Sequence, residues 1–414
     1  MKHAQMRPED ERRQRIIAEA AGHFLRNGFE RTSMDRIAAS AHVSKQAIYE
    51  YFRSKDDLFE QVVRSELREV LSDGLEPQQD VRSALETFAD SVIHGFGSPR
   101  NYGLFRANII ATRQFPGLAT ALHEYRRGSS RALADYLEQL ATAGRIGAFE
   151  GNALDLATRL GGMAVEGVRH FLGHDLPDPA ERRDQARLAA GIFLHGYRKA
   201  DTAAADGAAI DALELPEATT SGAQLRLKPE RFALLCDAAI SEFMAHGFDR
   251  ASIDKVIAAS GVGRSTIYRQ FGNKQGLFRY VIGREIERIA GDAIAIPPGD
   301  DMETRLAQLA RIVLDRHIDG RSIPLFHLLI EEAQAFPDLA RAFYAAHVAR
   351  AARPFAALLA EYGAPPPSGA MTRIFHTLAT FGARYIATLR PVDEDERALV
   401  SRQAAKIICR GVTA

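Results

Sequence analysis

The sequence predicts an all-α protein made of two tandem repeats, each a small helical head followed by a larger helical body, and three observations predict it. VSKQAIYEYFRSKDDLF, from Val43 to Phe59, returns as VGRSTIYRQFGNKQGLF, from Val262 to Phe278, 219 positions later (262 − 43). Apolar residues recur at three- and four-residue steps almost throughout, and strand-like alternation is hard to find. ADTAAADGAAIDALELPEATTSGAQ, from Ala200 to Gln224, is rich in Ala, Asp, Gly and Thr and lacks aromatics, as expected of a linker between two units.

The first helix of the chain follows from Ile16, Ile17, Ala20, Ala21, Phe24 and Leu25, which share one helical face. It is expected to stop at Gly28, a residue suited to the left-handed conformation of many helix ends. Thr32 and Ser33 can cap a second, short helix through Ala41, with Ile37 and Ala38 turned inward. A third stretch, Ser44–Phe52, places Ala47, Ile48 and Tyr51 or Phe52 on its inner face. Two short helices joined across Ala41, His42 and Val43 have the form of a helix-turn-helix. Further helices follow, broken at Gly74–Pro77, Gly97–Pro99, Phe115–Pro116, Gly144–Gly147 and Gly173–Pro179, with the last running from Pro179 to about Arg198. Within the linker a short helix at Ile210–Leu215 is compatible with the sequence.

After Lys228 the pattern restarts. Phe24, Gly28, Phe29, Arg31, Ser33, Asp35, Val43, Ile48, Tyr49, Phe52, Lys55, Leu58 and Phe59 recur without a gap as Phe243, Gly247, Phe248, Arg250, Ser252, Asp254, Val262, Ile267, Tyr268, Phe271, Lys274, Leu277 and Phe278. Phe115, Pro116 and Leu118 return as Phe336, Pro337 and Leu339, now 221 apart (336 − 115), so the repeat reaches into the bodies. The expected division is 1–62 head, 63–198 body, 199–228 linker, 229–282 second head and 283–414 second body.

Composition narrows the function. At 414 residues the chain exceeds the roughly 250–300 residues at which single cores stop growing. Hydrophobic residues at 46% and charged residues at 26% fit a soluble globular protein. No run of about 18 apolar residues exists to span a membrane. The opening MKHAQMRPEDERRQR has no apolar core of a secretory signal, so the cytoplasm is the expected compartment. Cys236 and Cys409 are too few for a disulfide framework or a thiolate metal site. With 53 basic and 53 acidic residues, any nucleic-acid contact must come from local patches.

Each half resembles the TetR-type transcriptional regulators, on the pattern I-A-x-x-A-x-V-S-x-x-x-I-Y-x-Y-F-x-S-K-x-x-L seen at Ile37–Leu58. The resemblance implies a three-helix DNA-binding head, an all-helical ligand-binding and dimerising body, and pairing through the last two helices of each body. A tandem fusion then places both protomers in one chain, a monomeric pseudo-dimer rather than an obligate homodimer. The partners implied are a double-stranded DNA operator and a small apolar or aromatic effector. His42 departs from the family's usual Gly at the turn, where a left-handed residue costs about 1 kcal/mol. Ile257 replaces the small residue represented by Ala38, where two helices approach closely.

A helix fits the major groove, where base pairs show distinct donors and acceptors. The expected DNA-binding set is Ser33, Arg36, Ser44, Lys45, Gln46, Tyr49, Glu50, Tyr51 and Lys55 in the first head. In the second it is Ser252, Lys255, Arg264, Ser265, Thr266, Tyr268, Arg269, Gln270 and Lys274. Lys55 and Lys274 open helices whose dipoles already favour an anion. Arg12, Arg13, Arg15 and Arg231 are expected to add positive charge. Isolated charges are usually solvated faces, and here it is the doubling of the whole motif that favours DNA. Glu50 against Arg269 implies that the heads read different bases.

Other chemistry is thin. No G-x-x-x-x-G-K-[ST], H-E-x-x-H or G-x-S-x-G motif occurs, so no enzyme activity, cofactor or metal is expected. His170 and His174 are four apart, yet Gly173 is expected to end their helix before both can face one ion. Tyr102, Phe105, His123 and Tyr125 in the first body, and Phe326, His327, Tyr344 and His347 in the second, can line an effector pocket; they equally suit the core of a helix bundle. The function expected is a ligand-responsive repressor. A rival is a ligand-binding or sequestering scaffold whose heads have lost DNA affinity, a reading that draws on Ile257 and the zero net charge.

Overall fold

The computed structural model describes residues 8–68, 80–112, 115–197, 227–382 and 384–412, and all described secondary structure is helical. The break expected at Gly74–Pro77 and nearly all of the linker, Ile210–Leu215 included, lie outside the described residues.

The first head is α1 (Pro8–Arg31), α2 (Met34–Ser40) and α3 (Lys45–Tyr51). Ser33 stays extended and its side chain accepts from the Arg36 N–H, which starts α2; Ser44 does the same for α3 through the Ala47 N–H. His42 adopts φ 54°, the left-handed turn that lets α3 cross α2. Gly28 does not end α1, which continues to Arg31; a glycine inside a helix is tolerated at about 1 kcal/mol, and the break comes where Ser33 turns extended.

The rest of the first repeat is α4 (Lys55–Arg68), α5 (Val81–Gly97), α6 (Pro99–Ala111), α7 (Pro116–Gly128), α8 (Arg131–Thr142), α9 (Ala153–Ala164), a 3-10 turn (Arg169–Leu172) and α10 (Pro179–His195). The second repeat follows the same order. Its head is α11 (Pro229–Arg250), α12 (Ile253–Ser260) and α13 (Arg264–Phe271). Its body is α14 (Lys274–Gly291), α15 (Met302–His317), α16 (Ser322–Glu332), α17 (Pro337–Glu361), α18 (Gly369–Thr380), α19 (Arg384–Thr388) and α20 (Glu394–Arg410). One long helix, α17, stands where the first repeat has α7 and α8. In α11 the chain leaves helical geometry at Gly247, φ 71°, the position equivalent to Gly28.

The two bodies share one core. Leu137, Leu160 and Phe193 from the first repeat belong to the same apolar cluster as Leu309, Phe355, Phe375 and Ile408 from the second. α10 and α20 cross at their C-terminal ends through a reciprocal pair of backbone bonds. The Tyr197 N–H donates to Ile408 O at 2.8 Å, and the Val412 N–H to Phe193 O at 3.0 Å. Gly196 and Gly411 permit the crossing, because a Cβ on Gly196 would lie 2.7 Å from Arg410 N and one on Gly411 2.4 Å from Leu194 C. Buried charges also cross the seam. The Arg373 guanidinium meets the Glu166 carboxylate at 2.8 Å, and Arg159 Nε donates to Gln403 Oε1 at 2.8 Å.

Candidate nucleic-acid interface

Burial of Ile48 and Ile267 fixes which side of each short helix faces water. On α3 the opposite side presents Lys45, Gln46, Tyr49 and Glu50, and on α13 Arg264, Ser265, Tyr268 and Arg269. Tyr49 and Tyr268 are 46% and 37% exposed, so each leaves a large ring in solvent on the outward side of its helix. Each face therefore offers an amphipathic ring flanked by donors, at the spacing of one helical surface.

The first residue of each of these helices is tied to an aspartate in the first turn of the preceding one. Lys45 Nζ lies 3.0 Å from Asp35 Oδ2, and Arg264 pairs with Asp254. The Asp254 hydrogen bond and charge raise the Arg264 pKa further, so this guanidinium is a permanent cation. Both pairs are exposed and weak, so a phosphate or a guanine edge can replace the aspartate. The recurrence of Asp35 as Asp254 is the sequence signal for this restraint; residue type alone does not reveal it.

The phosphate side is also built twice. Ser54 Oγ accepts from the Asp57 N–H at 3.1 Å and Asn273 Oδ1 from the Gly276 N–H at 2.9 Å, opening α4 and α14 with Lys55 and Lys274 at their first positions. Lys55 Nζ sits 4.4 Å from the centre of the Phe29 ring and Lys274 Nζ 5.2 Å from that of Phe248. Helix N-termini with adjacent ammonium groups attract phosphate. The capping hydroxyls of Ser33, Ser44 and Ser252 accept from backbone N–H groups, and a hydroxyl in that role still has its proton to donate. Arg36 is exposed beside Ser33, and Thr266 is half-buried. Lys255 leans toward α11, 3.3 Å from His246 Nε2.

Some expectations are corrected. Gln270 is buried, 9% exposed, because it falls on the inner face with Ile267 and Phe271, so its amide is not offered to a groove. Tyr51 is half-buried against the head core, beside Phe52. Arg15 Nε donates to Ala41 O at 3.0 Å and Arg231 Nη2 to Gly261 O at 2.9 Å, so both brace the turn. Ile257 is half-buried against the second head's core, and Gly261 beside it keeps the left-handed turn at φ 65°.

The family description "Bacterial regulatory proteins, tetR family" fits residues 16–62 and, independently, residues 235–281. The chain belongs to the TetR family. It is 28% identical over 177 residues to the HTH-type transcriptional activator FasR of Mycolicibacterium smegmatis, a match covering 41% of this chain and 76% of FasR. Over 54 residues it is 41% identical to the HTH-type transcriptional repressor ComR of Escherichia coli, covering 13% of this chain and 26% of ComR, about a quarter of that protein's length. Among solved structures, a TetR family transcriptional regulator from Pseudomonas syringae pv. tomato matches 44% of this chain and 95% of its own at 24% identity and TM-score 0.38. The Flavonoid-responsive Regulator FrrA matches 44% and 93% at 26% identity and TM-score 0.36. The chain is thus a tandem TetR-type DNA-binding transcriptional regulator.

In this TetR-type chain each head meets its body through one aromatic cluster, written twice. Phe115 packs 5.2 Å from Phe29 and 5.8 Å from Phe59, and Phe336 packs 5.0 Å from Phe248 and 4.7 Å from Phe278, centre to centre. The second head has further ties: Arg279 grips Asp338 with both nitrogens, at 2.6 and 3.2 Å, and the Phe248 N–H donates to Glu332 at 2.9 Å. Burial alone would raise the Asp338 pKa, yet the Arg279 hydrogen bond and charge hold it low. The first repeat has Glu60, Gly117 and Ala111 at the matching places and lacks these side-chain partners.

Those residues expected to line a pocket whose side chains are described lie in the core or pack against it. Phe326 is 4.8 Å from Phe343 and 4.9 Å from His347, and His327 Nε2 is 2.7 Å from Ile386 O, all in the interior with Tyr344. Tyr102 stacks 5.1 Å from Phe171 and donates its hydroxyl to His170 O at 2.8 Å, Phe105 is 5.4 Å from Phe96, and His123 is buried. The side chain of Tyr125 lies outside the described residues. Gly173 does end the segment carrying His170, at φ 80°, and His170 Nδ1 faces Asp175 O at 2.8 Å.

Proposed function

We propose that the chain is a ligand-responsive repressor that occupies an asymmetric two-half-site operator with both heads, one chain per operator, without catalytic activity. The observation that carries this reading is that two heads of one fold expose different chemistry at equivalent positions: Lys45, Gln46 and Glu50 on α3 against Arg264, Ser265 and Arg269 on α13. An arginine makes bidentate contacts to guanine, whereas a glutamate accepts from cytosine, so the half-sites differ. Repression follows from promoter occupancy, and release from an effector that binds the body better in a state whose head spacing does not suit DNA.

No described helix is long and apolar enough to cross a membrane, which suits a chain that works on DNA. Of the two features that favour the scaffold reading, the zero net charge stands, whereas Ile257 packs against the head core beside an undisturbed left-handed turn at Gly261. A gel shift over a salt series tests the proposal. A steep fall of affinity with rising salt, at one chain per duplex, is expected from several phosphate contacts. Absence of binding at low salt would leave the scaffold reading standing.

A further inference from the structure

Three histidines of the second body meet in its interior: His317 at the end of α15, His347 in the middle of α17 and His376 in α18. They are 1%, 1% and 3% exposed, and one potential ligand nitrogen from each lies within 4.8 Å of the others. Ring centres are 6.0, 6.2 and 6.5 Å apart. Neither nitrogen of His317 has a hydrogen-bond partner, and Nε2 of His347 has none. Protein interiors rarely leave such groups unmatched, and three in one place call for something that binds them.

We propose that His317, His347 and His376 form a site for one divalent transition-metal ion, with a fourth position open to an anion. Imidazole nitrogens suit zinc, copper, nickel or cobalt and not magnesium or calcium, and among the described residues no carboxylate joins the group to favour a hard cation. Four-coordinate metal–nitrogen bonds of about 2.0–2.1 Å put ligand nitrogens about 3.4 Å apart, so small inward rotations of the three rings close the site. Burial is the leading reason that all three imidazoles stay neutral, which keeps their lone pairs available.

Arg350 argues for the anion. Its Nη2 lies 3.4 Å from His347 Nδ1, and its Nη1 3.4 Å from Asp292 Oδ2, a carboxylate it shares with Arg316. Buried positive charge beside a dication is unfavourable unless a negative ligand completes the sphere, and hydroxide, chloride or a carboxylate does so. Among the described residues the cluster occurs once. At the equivalent places the first body has Phe96 (317 − 221), Arg126 (347 − 221) and Leu160 (376 − 216, the offset between the starts of α9 and α18).

The site also has a route to the DNA. α17 begins at Pro337, directly after Phe336, whose ring packs on Phe248 and Phe278 of the second head. Drawing α15, α17 and α18 together therefore bears on how that head is seated. This use as an effector site rests on the repressor reading above; metal binding itself does not.

The full chain, stripped with a chelator and dialysed, is titrated with Co²⁺ and then with Zn²⁺ in the absence of DNA. One Co²⁺ per chain, the strong visible absorption of a four-coordinate ion and displacement by Zn²⁺ are expected, with Mg²⁺ inert. His317→Gln and His376→Gln should each weaken binding at least tenfold, and Arg350→Gln should tighten it. Pulsed EPR of the Cu²⁺-loaded wild type, which needs no variant to fold, should count three imidazoles. No bound ion, a weakly absorbing six-coordinate spectrum, a count of one imidazole, or unchanged binding in both histidine variants would overturn the site. A gel shift with and without Zn²⁺ is the separate arm: operator affinity that ignores a bound ion overturns the regulatory use alone, and absence of DNA binding with or without Zn²⁺ strikes the repressor reading instead.

Discussion

Arg264 and Lys274 are proposed to make two different kinds of DNA contact within one head. Arg264 projects from the exposed face of α13, paired with the exposed Asp254 and with the Tyr268 hydroxyl at 3.4 Å, so it can exchange these exposed partners for a base edge. Lys274 is anchored by its bond to Asp249 O at 3.0 Å and sits at a helix N-terminus, a place that attracts any phosphate. Arg264→Ala should weaken only the half-site read by the second head, by roughly 5- to 150-fold, whereas Lys274→Ala should weaken all sequences alike and lower the salt slope by about one. Anisotropy titrations against matched and scrambled duplexes measure both. Glu166 shows what residue type conceals: a buried carboxylate at φ 51°, flanked by Arg373 at 2.8 Å and Arg169 at 3.0 Å. Burial by itself would raise its pKa, but the two guanidiniums outweigh that and lower it. Its folded pKa lies below the unfolded value of about 4.3, so its stabilisation is present above that pH and is lost as pH falls through the lowered pKa. Glu166→Gln leaves Arg373 buried without its counter-charge and should cost about 3–5 kcal/mol in urea unfolding at neutral pH. A reading of charged residues as solvated surface misses this pair, because nothing in the sequence marks the seam that buries it.

At the scale of helices, the two head–body joints share an aromatic cluster and differ in their polar ties. Arg279–Asp338 and the Glu332 bond to the Phe248 N–H fasten the second head, and Glu60, Gly117 and Ala111 supply no equivalent in the first. Amides of α2 and α3 should therefore exchange with deuterium faster than those of α12 and α13. Arg279→Ala should narrow the difference, raising exchange in the second head by roughly three- to tenfold. The short helices of the heads were legible in sequence because local chemistry sets them: serines cap α2, α3 and α12, and His42 and Gly261 both take the left-handed turn. The end of α1 was misread at Gly28, since a glycine permits a helix end without imposing one. Pocket residues were not legible, because Phe326 and Tyr344 have the same spacing whether they line a cavity or fill a core. The histidine triad was hidden for another reason. Its members stand 30 and 29 positions apart (347 − 317 and 376 − 347), on three helices that only the tertiary fold brings together.

On the scale of the whole molecule, repetition is what the sequence states most clearly, and its physical meaning is the shared core between bodies. α10 and α20 exchange backbone bonds about a pseudo-two-fold, and Gly196 and Gly411 leave no room for any larger residue at the crossing. Because each body completes the other's core within one chain, light scattering at micromolar concentration should give one chain per particle; an obligate two-chain particle with four heads would contradict it. A homodimer is bound to a palindromic operator, with half-sites about 34–36 Å apart, by its own symmetry. Fusion releases this chain from that constraint, and the difference between Glu50 and Arg269 is the ground on which an asymmetric operator is proposed. Selection of binding sites from random duplexes by the full chain tests the central claim most directly. The account predicts an asymmetric preferred site with a guanine-containing half that changes when Arg264 is replaced by Ala, and a perfect palindrome read equally by both heads would contradict it.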